Sequence, residues 1–262
     1  DELLIYFVGD PKKENQNLYD YWLKNKISVK KKFIEKINGE FLLVIFNKRK
    51  KIFYLINDRF TSIPLYYIYN NHTIYFSNNY FYFYKKLKKK ISLKLNSLSF
   101  IEFLLFRKLH GNKTFDTKIK YLDYASILKI KDKVYLLKYW LPNFKKKKYK
   151  NLNDCSNSFI KVISNAIKYK IGNRKTINLF LSGGLDTRII LASLLKLKLK
   201  PKCFTFGFSK NSEYFYSKQL TEINKLNHKF IKIPKKEILN KLKYKFLISS
   251  GMFNHFINFF SK

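Results

Sequence analysis

The chain has 262 residues, of which 46% are hydrophobic and 18% aromatic, and its 54 Lys and Arg against 17 Asp and Glu give a formal net charge of +37. This apolar content excludes a disordered chain, and two cysteines are too few for a disulfide framework or a four-cysteine zinc site. The low cysteine content favours a reducing cytoplasm. Apolar runs such as IEFLLF are too short to span a membrane, so we expect no membrane partner.

The positive charge is spread along the chain and comes almost entirely from lysine, since only five of the basic residues are arginine. A dedicated nucleic-acid-binding domain more often concentrates Lys and Arg on one face or in one segment. The composition therefore predicts salt-sensitive, non-specific contacts with polyanions and no specific nucleic-acid partner.

Residues 1–84 predict a helix and a series of short strands. The connections NKRKK (47–51) and NNHT (70–73) are typical of hairpins, and the apolar spacing from Leu18 to Ile37 indicates a helix before them. Hairpins behind a helix predict a layered α+β domain. The runs of strand length are LLIYFV, EFLLVIF, KIFYLI, PLYYIY and TIYFS.

Two lysine runs, KKLKKK at 85–90 and KKKKYK at 145–150, bound a middle segment, and we expect both to be solvated. Between them the pattern predicts a helix from Ser97 to Leu109 and a hairpin that ends in KYWLP. The aromatic run YFYFY at 80–84 is expected in a core or a domain interface. The predicted organisation is therefore 1–84, 85–150 and 151–262.

After Leu152 the pattern alternates between helix and strand. An amphipathic helix, with Asn153, Asp154 or Ser156 available as its cap, opens this section. Alternation of this kind predicts an α/β domain with a parallel sheet and right-handed crossovers. The elements that follow are strand TINLFLS, loop GGLD, helix TRIILASLLKL, strand KCFTFGF, helix SEYFYSKQLTEINKL and strand HKFIKI.

The segment LSGGLDT, Leu181 to Thr187, joins a predicted strand to a predicted helix. Gly183 and Gly184 allow backbone amides to close around an oxyanion, the helix N-terminus favours phosphate, and the hydroxyls of Ser182 and Thr187 add donors. Asp186 fits beside an anion if Mg²⁺ lies between the carboxylate and phosphates. The spacings of a Walker loop and of the dinucleotide fingerprint are absent. An ordinary strand-to-helix turn with an acidic cap remains the alternative.

The hexapeptide SGGLDT resembles the pyrophosphate-binding loop SGGxDS of the N-type ATP pyrophosphatases. Thr187 stands where that loop has serine, and it keeps the hydroxyl. The order of FTFGF, a helix with Glu213 and Tyr216, and NHKFIKI is similar to the asparagine synthetase family in particular. INGEFLLVIF followed by DRFTSIPLYY resembles that family's glutaminase signature NGEFAF…DRxGxxPLYY. The stretch HGNKTFDTKIKYL with KYWLP resembles its linker.

The resemblance implies the rear part of an Ntn-type, layered glutaminase-like domain in 1–84, a linker in 85–150, and the front part of an ATP pyrophosphatase-like synthetase domain in 151–262. It implies an AMP-forming ligase of the glutamine-hydrolysing asparagine synthase type. In the reaction that the resemblance implies, a carboxylate, expected to be aspartate, would be activated as an acyl-adenylate with release of pyrophosphate and would then be amidated by glutamine-derived ammonia. The implied cofactors are ATP and Mg²⁺, and the other small-molecule partners are glutamine and the carboxylate. A homodimer is compatible with the resemblance.

The resemblance also assigns roles to residues. Asp186 would be the catalytic residue, acting through Mg²⁺, and Phe206 would contact adenine through its backbone. Gly9 and Asp10 correspond to the glutamine-binding turn. The residues implied to hold ATP and pyrophosphate are Leu181, Ser182, Gly183, Gly184, Asp186, Thr187 and Phe206.

Several departures from the family pattern bear on activity. The family's glutaminase nucleophile is an amino-terminal cysteine, but residue 1 is Asp1, and Cys155 and Cys203 are expected to be buried small residues. The family's second nucleotide loop, S-G-x-G-x-D-E, is not found. We therefore expect a fragment that is inactive alone. The alternatives are a relative without glutaminase activity that makes another amide or lactam, a tRNA-modifying ATP pyrophosphatase, and a non-catalytic binding module.

Overall fold

A computed structural model describes residues 3–13, 16–24, 29–87, 89–144, 148–172 and 174–234. The described residues up to Asn143 form one compact unit, and those from Phe144 onward form a second. Some expectations concern residues outside these ranges: the N-terminal Asp1, Ile27 in the first predicted helix, lysines 145–147 of the second lysine run, and the synthetase segment beyond Pro234.

All five strands predicted in residues 1–84 are present in the first unit. Their observed bounds agree with the apolar runs to within about two residues at each end. The elements of this unit, in chain order, are β1 (Leu3–Gly9), β2 (Lys12–Lys13), β3 (Gln16–Asn17), α1 (Leu18–Lys24), α2 (Lys31–Ile34), β4 (Phe41–Asn47), β5 (Ile52–Asn57), β6 (Tyr66–Asn70), β7 (Thr73–Ser77), α3 (Phe81–Leu87), α4 (Ser97–Phe106), β8 (Lys120–Tyr121), β9 (Ser126–Ile130) and β10 (Val134–Lys138).

The main sheet of the first unit has antiparallel strands in the order β1–β4–β5–β9–β10. Two smaller antiparallel sheets have the orders β7–β6–β8 and β2–β3. Both predicted hairpins are confirmed, and Asn71 and His72 at the tip of the second have φ values of 47° and 59°, which suit a two-residue hairpin turn. Strands β9 and β10 come from the predicted linker segment, and the division at residues 84 and 150 stays a prediction.

Both faces of the main sheet are buried at β4. Leu43 and Ile45 pack with Ile34 and Ile37 from the chain just before the strand, and Leu42 points to the opposite face and joins a second apolar cluster. Burial on both faces explains why EFLLVIF is an unbroken apolar run rather than an alternating one.

The helix predicted between Leu18 and Ile37 is present only in part, as α1 and α2, because Lys30 has extended backbone angles (φ −64°, ψ 141°). The helix predicted from Ser97 to Leu109 ends earlier, at Phe106. Its chain turns away there because Arg107 adopts a left-handed φ of 59°.

The aromatic run at 80–84 contributes to a core, as expected. Tyr80 and Phe83 are buried, and the Tyr80 and Tyr84 hydroxyls lie 3.3 Å apart. Burial raises the pKa of Tyr80. Within the described ranges, no helix combines the length and the apolar character needed to cross a membrane.

A buried asparagine ties β5 to the segment that precedes β9. Asn57 is fully buried, and its Nδ2 donates to the carbonyl oxygens of Leu122 (3.0 Å) and Asp123 (2.9 Å). Its Oδ1 accepts from the backbone N–H of Ser126 (2.8 Å), and the hydroxyl of Tyr139 donates to the Asn57 carbonyl (2.8 Å). Four polar groups from the chain after residue 121 therefore depend on this one residue.

Thr61 occupies the position at which the DRxGxxPLYY signature has glycine, and its φ is 52°. Left-handed backbone angles are unusual for a β-branched residue. Thr61 Oγ1 lies 3.2 Å from Asn57 Nδ2 and shares one of its two protons with a backbone carbonyl, an interaction that compensates part of the cost.

We expect Thr61→Gly to be more stable to urea than Thr61→Ala by about 1 kcal/mol. Both substitutions remove the hydroxyl, but only glycine relieves the left-handed strain. Equal unfolding midpoints and slopes for the two variants would show that the strain at this turn is negligible.

The second unit alternates helix and strand as predicted. Its three strands pair in parallel in the order β11–β12–β13. Its elements are α5 (Leu152–Ile171), β11 (Asn178–Phe180), α6 (Leu185–Lys196), β12 (Lys202–Gly207), α7 (Ser212–Ile223) and β13 (His228–Lys232).

Two details of the second unit correct the sequence analysis. The cap of α5 is Asn151, whose Oδ1 accepts from the backbone N–H of Asp154 (2.8 Å), so the predicted caps Asn153, Asp154 and Ser156 are wrong. The helix begins one residue earlier than any of them because Leu152 is already helical. Cys203 is buried as expected, whereas Cys155 is only half-buried.

Candidate functional site

The chain between β11 and α6 turns sharply at the carboxyl edge of the parallel sheet. Leu181 is buried, and its backbone N–H donates to the carbonyl of Phe204 on the neighbouring strand (2.8 Å). Gly184 is the N-cap residue of α6, and because it has no side chain, no side-chain hydrogen bond caps the helix. The first amides of the helix are therefore open to an external anion, at the sheet edge where α/β proteins bind ligands.

Gly183 is required by the geometry of this turn. Its φ is +71°, and a Cβ placed on it would lie 2.7 Å from Tyr216 Cβ on α7. That Tyr216 atom is attached directly to the helix backbone and cannot rotate away. Only glycine fits, and helix α7 packs directly against the loop.

The two predicted hydroxyl residues meet across the loop. Ser182 Oγ and Thr187 Oγ1 lie 3.4 Å apart, the Gly184 N–H donates to Ser182 Oγ (3.4 Å), and Thr187 Oγ1 donates to the Gly184 carbonyl (3.1 Å). The structure thus brings Ser182, Gly183, Gly184 and Thr187 into one compact turn. These contacts are long, so a ligand could replace them at small cost.

Asp186 lies in the first turn of α6 rather than in the loop, because the helix begins at Leu185. Its side chain is exposed, as is that of Arg188, whose backbone N–H continues the helix by donating to the Gly184 carbonyl (3.1 Å). A carboxylate in the first helical turn is stabilised by the helix dipole whether or not a metal is bound. The position therefore suits both a helix-capping role and a metal-binding role.

A pocket of about 170 Å³ opens beside the loop. Of the predicted residues, it brings together Leu181, Ser182, Thr187 and Phe206. Sequence reasoning missed Phe180, Phe204 and Thr205 and used Glu213 only for the resemblance, although Phe180 and Phe204 are register partners in adjacent strands. The lining residues are Phe180, Leu181, Ser182, Thr187, Phe204, Thr205, Phe206 and Glu213.

Phe206 forms an exposed apolar wall of this pocket. Just over half of its surface is exposed, and its ring packs edge-to-face on Phe180 at 5.7 Å between centroids. The pocket is smaller than the roughly 300–1,000 Å³ of a whole small-molecule site. It can therefore take one part of a nucleotide, with the remainder lying over the open loop.

Gly9 and Asp10 lie at the end of β1 in the first unit, and their geometry has a local explanation. A Cβ on Gly9 would lie 2.1 Å from the Glu40 carbonyl oxygen, and its φ is +99°, so glycine allows two backbone segments to approach closely. The Asp10 N–H donates to the same carbonyl (2.8 Å), and its carboxylate lies 3.4 Å from Lys12 Nζ. Glutamine binding by this turn stays a prediction.

Among the described residues, no group of three or more His, Cys, Asp and Glu side chains gathers as a closed metal site would require. An ion held jointly with substrate phosphates needs fewer protein ligands. Mg²⁺ commonly binds through one or two carboxylates plus phosphate oxygens. The exposed Asp186 carboxylate beside an open loop has the right donor chemistry for that arrangement.

Comparison with known protein families identifies two domains in the chain. Residues 23–140 match the glutamine amidotransferase domain, and residues 159–249 match asparagine synthase. No curated protein matches the chain significantly. The two matched domains occur in the order that the sequence predicts, and their described residues lie in the antiparallel and the parallel unit respectively. The chain belongs to the asparagine synthetase family, with a glutamine amidotransferase domain followed by an asparagine synthase domain.

Proposed function

We propose that the second unit binds Mg–ATP at Leu181–Thr187 and takes part in an AMP-forming, ATP-dependent amide synthesis of the asparagine synthase type. The observation that carries this proposal is the loop itself. A left-handed Gly183 packed on Tyr216, two converging hydroxyls and an open helix N-terminus lie at the carboxyl edge of a parallel sheet. This arrangement is what a pyrophosphate-binding loop needs, because its amides and hydroxyls are oriented before the anion arrives.

Asp186 would hold Mg²⁺ together with phosphate oxygens. When bound, the ion would neutralise charge that develops on the departing pyrophosphate. The hydroxyls of Ser182 and Thr187 and the amides around Gly183 and Gly184 would orient the same group. The contribution of this chain is therefore positioning and electrostatic stabilisation rather than covalent catalysis.

The proposed reaction has two steps. A carboxylate oxygen, from aspartate or a similar acid, attacks the α-phosphorus of ATP, and the bond to pyrophosphate breaks to give an acyl-adenylate. Ammonia released from glutamine then attacks the acyl carbon, and AMP leaves as the amide forms. Holding the pyrophosphate in the loop would stabilise the leaving group of the first step.

The pocket beside the loop is proposed to take the base of the nucleotide. Its aromatic side chains, Phe180, Phe204 and Phe206, offer apolar surface, and the Phe206 backbone at the end of β12 offers polar groups. The side chain of Leu181 is largely in the core, so its contribution is to form the floor of the pocket. In this proposal the base would lie among the aromatic rings and the phosphates would lie over the glycines.

The first unit is proposed to be of the layered, Ntn glutaminase type. Its antiparallel sheets and the match to a glutamine amidotransferase domain support this fold, and the turn at Gly9 and Asp10 is the proposed contact with glutamine. Supply of ammonia would be the role of this unit in the whole reaction.

We expect Asp186→Asn to weaken binding of Mg–ATP about ten-fold, the scale on which loss of a metal-site contact acts, and to remove most of the Mg²⁺ dependence. Isothermal titration of the 262-residue chain with ATP, with Mg²⁺ and with EDTA, measures both effects. Thr187→Ser should bind as the wild type does, since the hydroxyl survives.

Asp154→Asn is the matched control for this experiment. Asp154 is also an exposed aspartate in the first turn of a helix, α5, and its substitution changes the net charge equally. If Asp186→Asn and Asp154→Asn both leave the affinity unchanged, Asp186 serves only to stabilise its helix and the proposed metal role is wrong.

A further inference from the structure

The backbone carbonyl of Leu181, directly before the loop, accepts hydrogen bonds from two buried hydroxyls. Thr205 Oγ1 on β12 donates to it at 2.6 Å, and Ser217 Oγ on α7 donates to it at 2.9 Å. Thr205 and Ser217 are 2% and 0% exposed, so water does not compete for these contacts. The last peptide before the loop is therefore held from two different elements.

A histidine completes the arrangement. His228 on β13 places its Nε2 at 2.9 Å from Thr205 Oγ1. The single hydroxyl proton of Thr205 is already donated to the Leu181 carbonyl, which can only accept. Thr205 Oγ1 must therefore accept from His228, and the Nε2 atom of the histidine must carry a proton.

The surroundings of His228 favour that protonation state. Its ring stacks on Tyr214 at 5.6 Å between centroids and an angle of 25°. Burial lowers the pKa of His228, Glu222 opposes this effect and Lys218 adds to it, so the ring is neutral at neutral pH and its one proton is the one on Nε2 that the contact with Thr205 requires.

We propose that Thr205 and His228 are positioning residues that orient the Leu181 carbonyl and thereby aim the first amide of the anion-binding loop. The C=O and N–H groups of a trans peptide point in opposite directions in one plane. Holding the Leu181 carbonyl toward Thr205 and Ser217 thus directs the Ser182 N–H away from them. This inference rests on the proposed function, because it assigns a role to these residues through the same loop.

A hydroxyl on the same helix shows that this contact is a specific one. Thr221, one turn after Ser217 on α7, is equally buried, but its Oγ1 directs its one proton back into the helix, where the carbonyl oxygens of Ser217 and Lys218 lie at 3.0 Å and 2.8 Å. That pattern is the usual way for a helical threonine to satisfy its hydroxyl. Ser217 instead donates across to the loop, and Thr205 does the same from the strand.

The test compares Thr205→Val with Thr221→Val, two isosteric replacements of buried hydroxyls in the same unit. We expect Thr205→Val to raise the dissociation constant for Mg–pyrophosphate about ten-fold, because the buried Leu181 carbonyl loses one of its two donors and the histidine N–H loses its acceptor. Thr221→Val should leave it unchanged. Thr205→Ser, which keeps the hydroxyl, should bind as the wild type does. His228→Gln, which keeps an N–H donor, should bind more tightly than His228→Leu, which has none.

A second readout does not depend on the ligand. The chain has only eight glycines, so labelling with ¹⁵N-glycine gives a sparse amide spectrum in which Gly183 and Gly184 can be assigned by substitution. Thr205→Val should move or broaden these two signals while Gly9 and Gly111 of the other unit keep theirs. Thr205→Ser should return them.

Different results would contradict the proposed function and the positioning role of Thr205 and His228. If the wild-type chain does not bind Mg–pyrophosphate, the proposed function is wrong, and the glycine signals still decide whether Thr205 orients the loop. If the wild type binds but Thr205→Val leaves both affinity and glycine signals unchanged, the positioning role is wrong. Equal effects of Thr205→Val and Thr221→Val would also overturn it, since they would show a general loss of packing.

Discussion

Replacing Gly183 with alanine should lower the affinity of the chain for Mg–ATP about 100-fold. The new Cβ would lie 2.7 Å from Tyr216 Cβ, in a residue whose φ is +71°. A left-handed conformation costs a non-glycine residue about 1–2 kcal/mol, and overpacking adds about 1–3 kcal/mol. The loop relieves this strain by moving, and the ligand must then restore the strained form, so the cost reduces the binding free energy.

Gly111→Ala is the control for a left-handed glycine that is replaced without a steric clash. Gly111 has nearly the same φ, +68°, but no atom lies within 4 Å of its potential Cβ, and it lies in the first unit. We expect this control to lower stability by about 1 kcal/mol and to leave nucleotide binding unchanged. Calorimetric titration measures binding for both variants. Wild-type affinity in Gly183→Ala would show that the packing of α7 against the loop does not control the site.

Replacing Asn57 with alanine should destabilise the first unit by about 3–5 kcal/mol. The substitution leaves the carbonyls of Leu122 and Asp123 and the N–H of Ser126 without their partner in a buried region, and each such loss costs about 1–3 kcal/mol. Both tryptophans of the chain, Trp22 and Trp140, belong to this unit. Tryptophan fluorescence during urea unfolding therefore reports on it separately from the second unit.

Asn78→Ala is the control for that measurement, because Asn78 is exposed and precedes α3 in the same unit. Its unfolding curve should superimpose on that of the wild type within about 0.5 kcal/mol. A change below about 1 kcal/mol in Asn57→Ala would mean that water or a local shift satisfies the three backbone groups.

Local patterns account for most of the fold that sequence analysis predicts. The strands are recognisable as short apolar runs separated by polar turns, and the change of period after Leu152 indicates the parallel unit. Helix ends are predicted less accurately. Arg107 ends α4 by a left-handed conformation for which an arginine gives no sequence signal, and Asn151 is hard to single out because three later polar residues are equally good caps.

The loop could be identified from sequence because its chemistry is local. Two adjacent glycines, two hydroxyls and a carboxylate lie within six residues, and the structure gathers the glycines and hydroxyls in one turn. The contacts behind the loop could not be identified in the same way. Thr205, Ser217 and His228 come from three elements, and nothing in a single sequence shows which buried hydroxyl will face the Leu181 carbonyl. Asn57 was missed for the same reason, since the backbone groups that its side chain binds follow 65 or more residues later.

The most direct test of the central claim is the Mg²⁺ dependence of ATP binding at physiological salt. With a net charge of +37, the chain will attract any polyanion at low ionic strength, and that attraction weakens with added salt and with Mg²⁺. We predict the opposite for the loop: ATP binds measurably at about 0.15 M salt with Mg²⁺, binds much more weakly in EDTA, and is displaced by pyrophosphate. Binding that is equal or stronger without Mg²⁺, or that pyrophosphate does not displace, would contradict the assignment of Leu181–Thr187 as a metal-assisted pyrophosphate site.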